Sequence, residues 1–113
     1  MYVITNSNVV SAASYFATMI KNSHRGKVIG EETAGGSFSG NGFKALTYVL
    51  PNSKISFEFP YAHIMYSFKD EKNTGRGLLP DYVVPDSYES FKKNTDLQYG
   101  FIVDSLILNK KQF

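Results

Sequence analysis

Apolar positions come in short, separate runs along this chain, and their spacing changes from run to run. The first run, Tyr2 to Thr5, is continuous and β-branched, the pattern of a buried strand. A turn cluster, Asn6-Ser7-Asn8, follows. From Ser11 the apolar residues Ala13, Phe16, Ala17 and Ile20 fall at helical spacing, which predicts a helix burying that face. The helix should close within Lys21 to Gly26, where basic residues complement the dipole and Gly26 can take a left-handed cap. Lys27 to Gly30 reads as a second short strand. Strand, helix and strand make a βαβ unit with parallel strands. Sites in open α/β sheets gather at the carboxyl ends of the strands, where Ser11 falls.

Glu31 to Phe43 is a loop with four glycines in thirteen residues. Lys44 to Leu50 and Ile55 to Phe59 then alternate around Pro51-Asn52-Ser53, predicting a β-hairpin. Its aromatic residues Tyr48, Phe57 and Phe59, with Tyr61, either pack in the core or line a substrate cleft. Tyr61 to Phe68 reads as a further strand, Lys69 to Gly77 as a polar loop, and Leu78 to Pro85 as an extended segment. Tyr99, Ile102, Val103 and Leu106 keep helical spacing, with Asp96 as N-cap.

Composition narrows the classes of function. A chain of 113 residues is one domain or part of one. With 42% hydrophobic and 19% charged residues it is not a disordered tail. The net charge of +2 is spread without a basic stripe, so a nucleic-acid partner is not expected. Cysteine is absent, which excludes disulfide scaffolds and thiolate metal sites. His24 and His63 have no second ligand at metal spacing, so neither a metal nor another cofactor is expected. No apolar run reaches the ~20 residues of a membrane span. The glycine loop lacks the Lys-Ser or Lys-Thr of a phosphate loop, and there is no Gly-x-Ser-x-Gly elbow. The chain opens directly on a buried-strand pattern with no export signal ahead of it. The expectation is that residues 1–113 form the C-terminal part of a larger catalytic domain whose signal lies elsewhere.

Ser11 allows two readings. It can serve as a helix N-cap, or its hydroxyl can act as a nucleophile beside unpaired backbone N–H groups able to stabilise an oxyanion. The small residues Ala12 and Ala13 would let a substrate backbone approach. Local sequence does not choose between these.

Three segments in register bear on the choice: Ser11-Ala12, then Gly30-Glu31-Glu32-Thr33-Ala34-Gly35, then Gly77-Leu78-Leu79-Pro80-Asp81. Their order and spacing resemble the C-terminal half of the catalytic domain of tail-specific (C-terminal processing) serine peptidases. The stretch from Asn73 to Tyr82 looks most like versions from Bacteroidetes-type bacteria. The resemblance implies an α/β, ClpP/crotonase-like fold, present here as a partial domain of βαβ unit, β-hairpin and C-terminal helix. It implies peptide-bond hydrolysis through an acyl-enzyme near unstructured polypeptide C-termini, in the periplasm or cell envelope. Ser11 matches the nucleophile, the Ala12 N–H an oxyanion donor, and Gly35 and Gly36 a substrate-binding loop.

Many members of that family carry a lysine base just after the glycine motif, but the position falls here on Gly36, and the next lysine is Lys44. The resemblance then implies a base outside this sequence, as in branches that use a histidine from the N-terminal half. An acidic partner falls on Asp70 or Glu71. Loss of the lysine also admits a non-catalytic module that binds peptides or hydrophobic ligands on the same fold. A crotonase-type acyl-CoA enzyme would share the fold but would not need Ser11. A partial domain should expose apolar surface, so self-association is expected.

Overall fold

The computed structural model describes residues 1–42, 44–68 and 75–109. β1 (Tyr2–Thr5), α1 (Ser11–Asn22) and β2 (Lys27–Gly30) occupy the ranges their patterns predict. β1 and β2 are parallel neighbours, with Tyr2 opposite Lys27 and Thr5 opposite Gly30. After β2 come β3 (Ser39–Gly40), the hairpin strands β4 (Ala45–Val49) and β5 (Ser56–Pro60), β6 (Ile64–Met65) and β7 (Tyr82–Val83). β7 returns to β2 in parallel, so β2 is the centre of a three-stranded sheet ordered β1-β2-β7. Central position explains the burial of Val28 and Ile29, both 0% exposed. Complete burial of such side chains contributes about 1.5–3 kcal/mol each.

α1 packs on this sheet, with Ala17, Val28 and Leu78 at the centre and Val3 against them. The face it buries differs from the expected one. Ser14, Ala17, Thr18 and Ile20 are buried, whereas Ala13 is exposed and Phe16 is 46% exposed. Two hydroxyls can go inside because both are satisfied by backbone: Thr18 Oγ1 donates to Ser14 O (2.8 Å) and Ser14 Oγ to Val9 O (3.0 Å). The helix end also departs from expectation. The left-handed residue after α1 is His24 (φ 55), not Gly26. The backbone is closed there by Ser23 N–H donating to Met19 O and His24 N–H to Lys21 O.

The predicted hairpin forms, with Leu46 opposite Phe59 and Tyr48 opposite Phe57. Its aromatic residues do not join the core: all residues of both strands are exposed. Tyr48, Phe57 and Phe59 cover one another instead, with ring centroids 5.4–6.1 Å apart. The chain is correspondingly elongated, 69 × 39 × 19 Å.

The predicted strand over Tyr61 to Phe68 shrinks to β6, which pairs antiparallel with β3 inside the glycine-rich loop. The C-terminal region begins with α2 (Tyr88–Lys92), closed by a reciprocal capping box between Ser87 and Ser90. Asp96 caps α3 (Leu97–Phe101) as expected, its carboxylate accepting from Tyr99 N–H at 2.7 Å. The helix continues as a π-helical stretch, Ile102–Leu108. Gln98 Nε2 donates to Val84 O (2.9 Å), just after β7, and the Phe101 ring lies tilted against Tyr82 (5.5 Å), so this helix lies against β7 and its end. Ile102 is buried, but Tyr99 is 62% exposed. No helix among the described residues is long and apolar enough to cross a membrane.

Candidate active site at the head of helix α1

Ser11 is the first residue of α1, and the N-cap is Val10, which makes no side-chain cap bond. The capping role considered for Ser11 is therefore not the one it has. Its backbone is instead left-handed, φ 53. For a non-glycine residue that costs roughly 1–2 kcal/mol and persists only where the surroundings enforce it.

Those surroundings are visible bond by bond. Val9 N–H donates to Asn6 O (3.0 Å) and Asn8 N–H to the Asn6 carboxamide (3.0 Å), which closes the loop after β1. The Val9 carbonyl then accepts twice, from Gly35 N–H and from Ser14 Oγ, each at 3.0 Å. The glycine loop is thus fastened to the loop that precedes Ser11. Gly35 has no alternative: a Cβ there would lie 2.2 Å from Ser14 Oγ and 2.9 Å from Ser11 N. The Ala12 N–H has no acceptor among the described residues and is open at the positive end of the helix.

Ser11, Ala12 and Gly36 border a cavity of about 470 Å³, completed by β3, Tyr15, Ile64 of β6 and Tyr66 just after it. The structure therefore brings together Ser11, Ala12, Gly35 and Gly36 from the sequence-predicted set. Asp70 and Glu71 lie outside the described residues. Among the described residues no group of His, Asp and Glu is arranged to hold a metal.

The other two motifs are joined to each other. Thr33 N–H donates to Leu78 O (3.1 Å), and Thr33 Oγ1 accepts from Leu78 N–H (2.8 Å) while donating to Gly35 O (2.8 Å). Glu32 takes Arg76 in a two-point grip, Nε to Oε1 at 3.1 Å and Nη2 to Oε2 at 2.5 Å, and also accepts from Gly77 N–H (3.0 Å). The Arg76 hydrogen bond holds the Glu32 carboxyl below the usual range; burial opposes it, and the Arg76 charge and the Gly77 N–H add to the lowering. The same carboxylate raises Arg76. Asp81 accepts from Val28 N–H (2.8 Å), returns its own N–H to Val28 O (2.7 Å), and lies 3.6 Å from Lys27 Nζ. It sets β7 against β2.

Sequence reasoning missed Glu32, Thr33 and Arg76 as the fasteners of the loop, and Tyr15, Ile64 and Tyr66 as cavity walls. The opposite charges of Glu32 and Arg76 were the one available signal, but they stand 44 residues apart.

A strand, a tight loop, a serine forced left-handed at a helix head and a glycine loop bound beside it define an α/β fold of peptidase type. The chain belongs to peptidase family S41, whose model matches residues 1–84. Among solved structures it is similar to a putative peptidase from Parabacteroides merdae, with TM-score 0.72 and 24% identity over 99% of this chain. It is also similar to the tricorn protease, with TM-score 0.65 and 19% identity over 98% of this chain. The chain spans 33% of the first of these proteins and 10% of the second. No curated protein matches the sequence significantly.

Proposed function

We propose that this chain is the C-terminal part of the catalytic domain of a serine endopeptidase of the tail-specific type, on a ClpP/crotonase-like fold. The observation that carries the reading is Ser11, held at φ 53 at the head of α1 beside the open Ala12 N–H. Ser11 Oγ attacks the carbonyl carbon of an extended polypeptide near its C-terminus while a base takes the hydroxyl proton. The Ala12 N–H stabilises the oxyanion, and Gly35 and Gly36 keep the approach to it narrow. Collapse of the adduct expels the amine, which takes up the proton, and water then hydrolyses the acyl-Ser11 ester.

The Ser11 cavity is lined by no Lys, His, Asp or Glu among the described residues. The base accordingly comes from elsewhere in a longer protein, with Asp70 or Glu71 as acidic partner, and the 113-residue chain alone does not turn over peptides. The longer protein works in the periplasm or cell envelope, and the short chain self-associates through its exposed apolar surface.

The test is labelling of the longer protein by a fluorophosphonate probe, with Ser11→Ala as control. Labelling lost on Ser11→Ala supports the nucleophile. An unreactive serine would favour the second reading, a binding module for peptides or hydrophobic ligands, which the lysine-free glycine loop favours. Casein turnover by the isolated chain that disappears in Ser11→Ala would refute the claim of inactivity. A clean monomer by light scattering at high concentration would refute self-association.

A further inference from the structure

We propose that Tyr15, Ile64 and Tyr66 form a specificity subsite that takes a large apolar side chain on the residue whose carbonyl Ser11 attacks. The proposal rests on the reading of Ser11 as nucleophile and names the substrate class of that site. Tyr15 stands one helical turn beyond Ser11, so both belong to the same face of α1. Its ring lies 4.5 Å from that of Tyr66 and 6.0 Å from that of Phe68. Tyr66 is brought there by its own N–H, which donates to Phe38 O at 2.8 Å and continues the β3–β6 pairing. Glycine at position 40 leaves room for the ring across β3, since a Cβ there would come 2.8 Å from Tyr66 Oη and push the ring aside. Ile64 completes the wall from β6.

The cavity these residues share with Ser11 measures about 470 Å³, at the small end of ligand pockets. That is room for a side chain and the adjoining backbone. No charged side chain lines it among the described residues. A carboxylate or ammonium entering it would lose water without gaining a counter-charge, whereas a leucine or phenylalanine side chain would leave water for aromatic and aliphatic walls. The open Ala12 N–H beside the cavity sets one carbonyl over the serine, and the side chain of that carbonyl's own residue is the one we place in the cavity.

The test uses the longer protein and peptides differing only at that residue: Leu, Phe, Gly, Asp or Lys. kcat/KM is measured on the unaltered protein, and affinity for the same peptides on Ser11→Ala, so that the answer does not depend on turnover. Leu and Phe are expected to exceed Gly by at least about tenfold, and Asp by more. Ile64 is 45% exposed, so Ile64→Asp can place a carboxylate at the rim, and it should turn the preference toward Lys by about tenfold. Gly40→Ala, which presses on Tyr66, should shift the preference from Phe to smaller side chains. A flat profile in both measurements, absence of binding by every peptide, or a profile unmoved by both variants would overturn the subsite. Turnover that survives Ser11→Ala would overturn the nucleophile instead, while the side-chain profile would still judge the subsite.

Discussion

Replacing Thr33 by valine should loosen the junction between the two glycine motifs more than any change of equal size on the surface. Thr33 is 3% exposed, and valine matches its shape while removing the hydroxyl. Two bonds go with it: Leu78 N–H loses its 2.8 Å acceptor and Gly35 O its 2.8 Å donor. A buried group left without a partner costs about 1–3 kcal/mol. Leu78 is 2% exposed, so its amide is the one that water cannot rescue, while the half-buried Gly35 carbonyl pays less. The expected loss is about 2–3 kcal/mol, large beside the ~5–15 kcal/mol of a whole domain. Urea unfolding followed by circular dichroism would show it as a midpoint lower by roughly 1–2 M. Thr33→Ser keeps the hydroxyl and gives up one methyl, so it should cost about 1 kcal/mol or less. The reasoning fails if Val sits within about 0.5 kcal/mol of the unaltered protein, or if Ser is as damaging as Val.

Gly35→Ala should be worse than Thr33→Val for the site, because its Cβ meets Ser14 Oγ at 2.2 Å and Ser11 N at 2.9 Å. Loss of probe labelling at Ser11 with only partial loss of secondary structure is the expected pair of results, and full labelling would refute it. Glu32→Gln should remove a pH-dependent contribution to stability. The folded carboxyl lies below its ordinary range, so that contribution is present above the unfolded value and is lost as pH falls through the folded one. Melting temperatures of Glu32→Gln and the unaltered protein should therefore differ at pH 7, and the gap should narrow as pH falls below the usual glutamate value of about 4.3; a gap that widens on acidification would refute the sign. Ile29→Ala, at the fully buried centre of the sheet, should cost about 2–5 kcal/mol by denaturant titration. A cost under about 1 kcal/mol would mean the sheet is not the stabilising centre.

The local elements were the legible part of the sequence. The bounds of β1, α1 and β2 between Tyr2 and Gly30 could be read from the sequence, because strand and helix periods and the parallel βαβ connection are short-range consequences of pattern. What escaped was set by partners distant in the chain. Phe16 has the spacing of a core residue, yet the buried face of α1 runs through Ser14 and Thr18, whose hydroxyls happen to find Val9 O and Ser14 O. His24 took the left-handed place expected of Gly26. Ser11 was recognisable as a special position, but whether it capped or began the helix depended on a loop held by Gly35. The pairing of β3 with β6, two residues each, had no signature that periodicity could detect.

The β4–β5 hairpin joins the body through a narrow neck, where Tyr61 N–H donates to Lys44 O at 3.1 Å. Beyond that neck its strands answer mainly to each other. The entropy of closing a surface loop grows only slowly with its length, by about 0.6 kcal/mol for each doubling. The hairpin can therefore lengthen, shorten or be exchanged while the registers of β3 with β6 and β2 with β7 stay as they are. For an engineer it is a graft site, and for evolution a module free to change. Either can alter what the molecule offers its surroundings without redrawing the turn that holds Ser11.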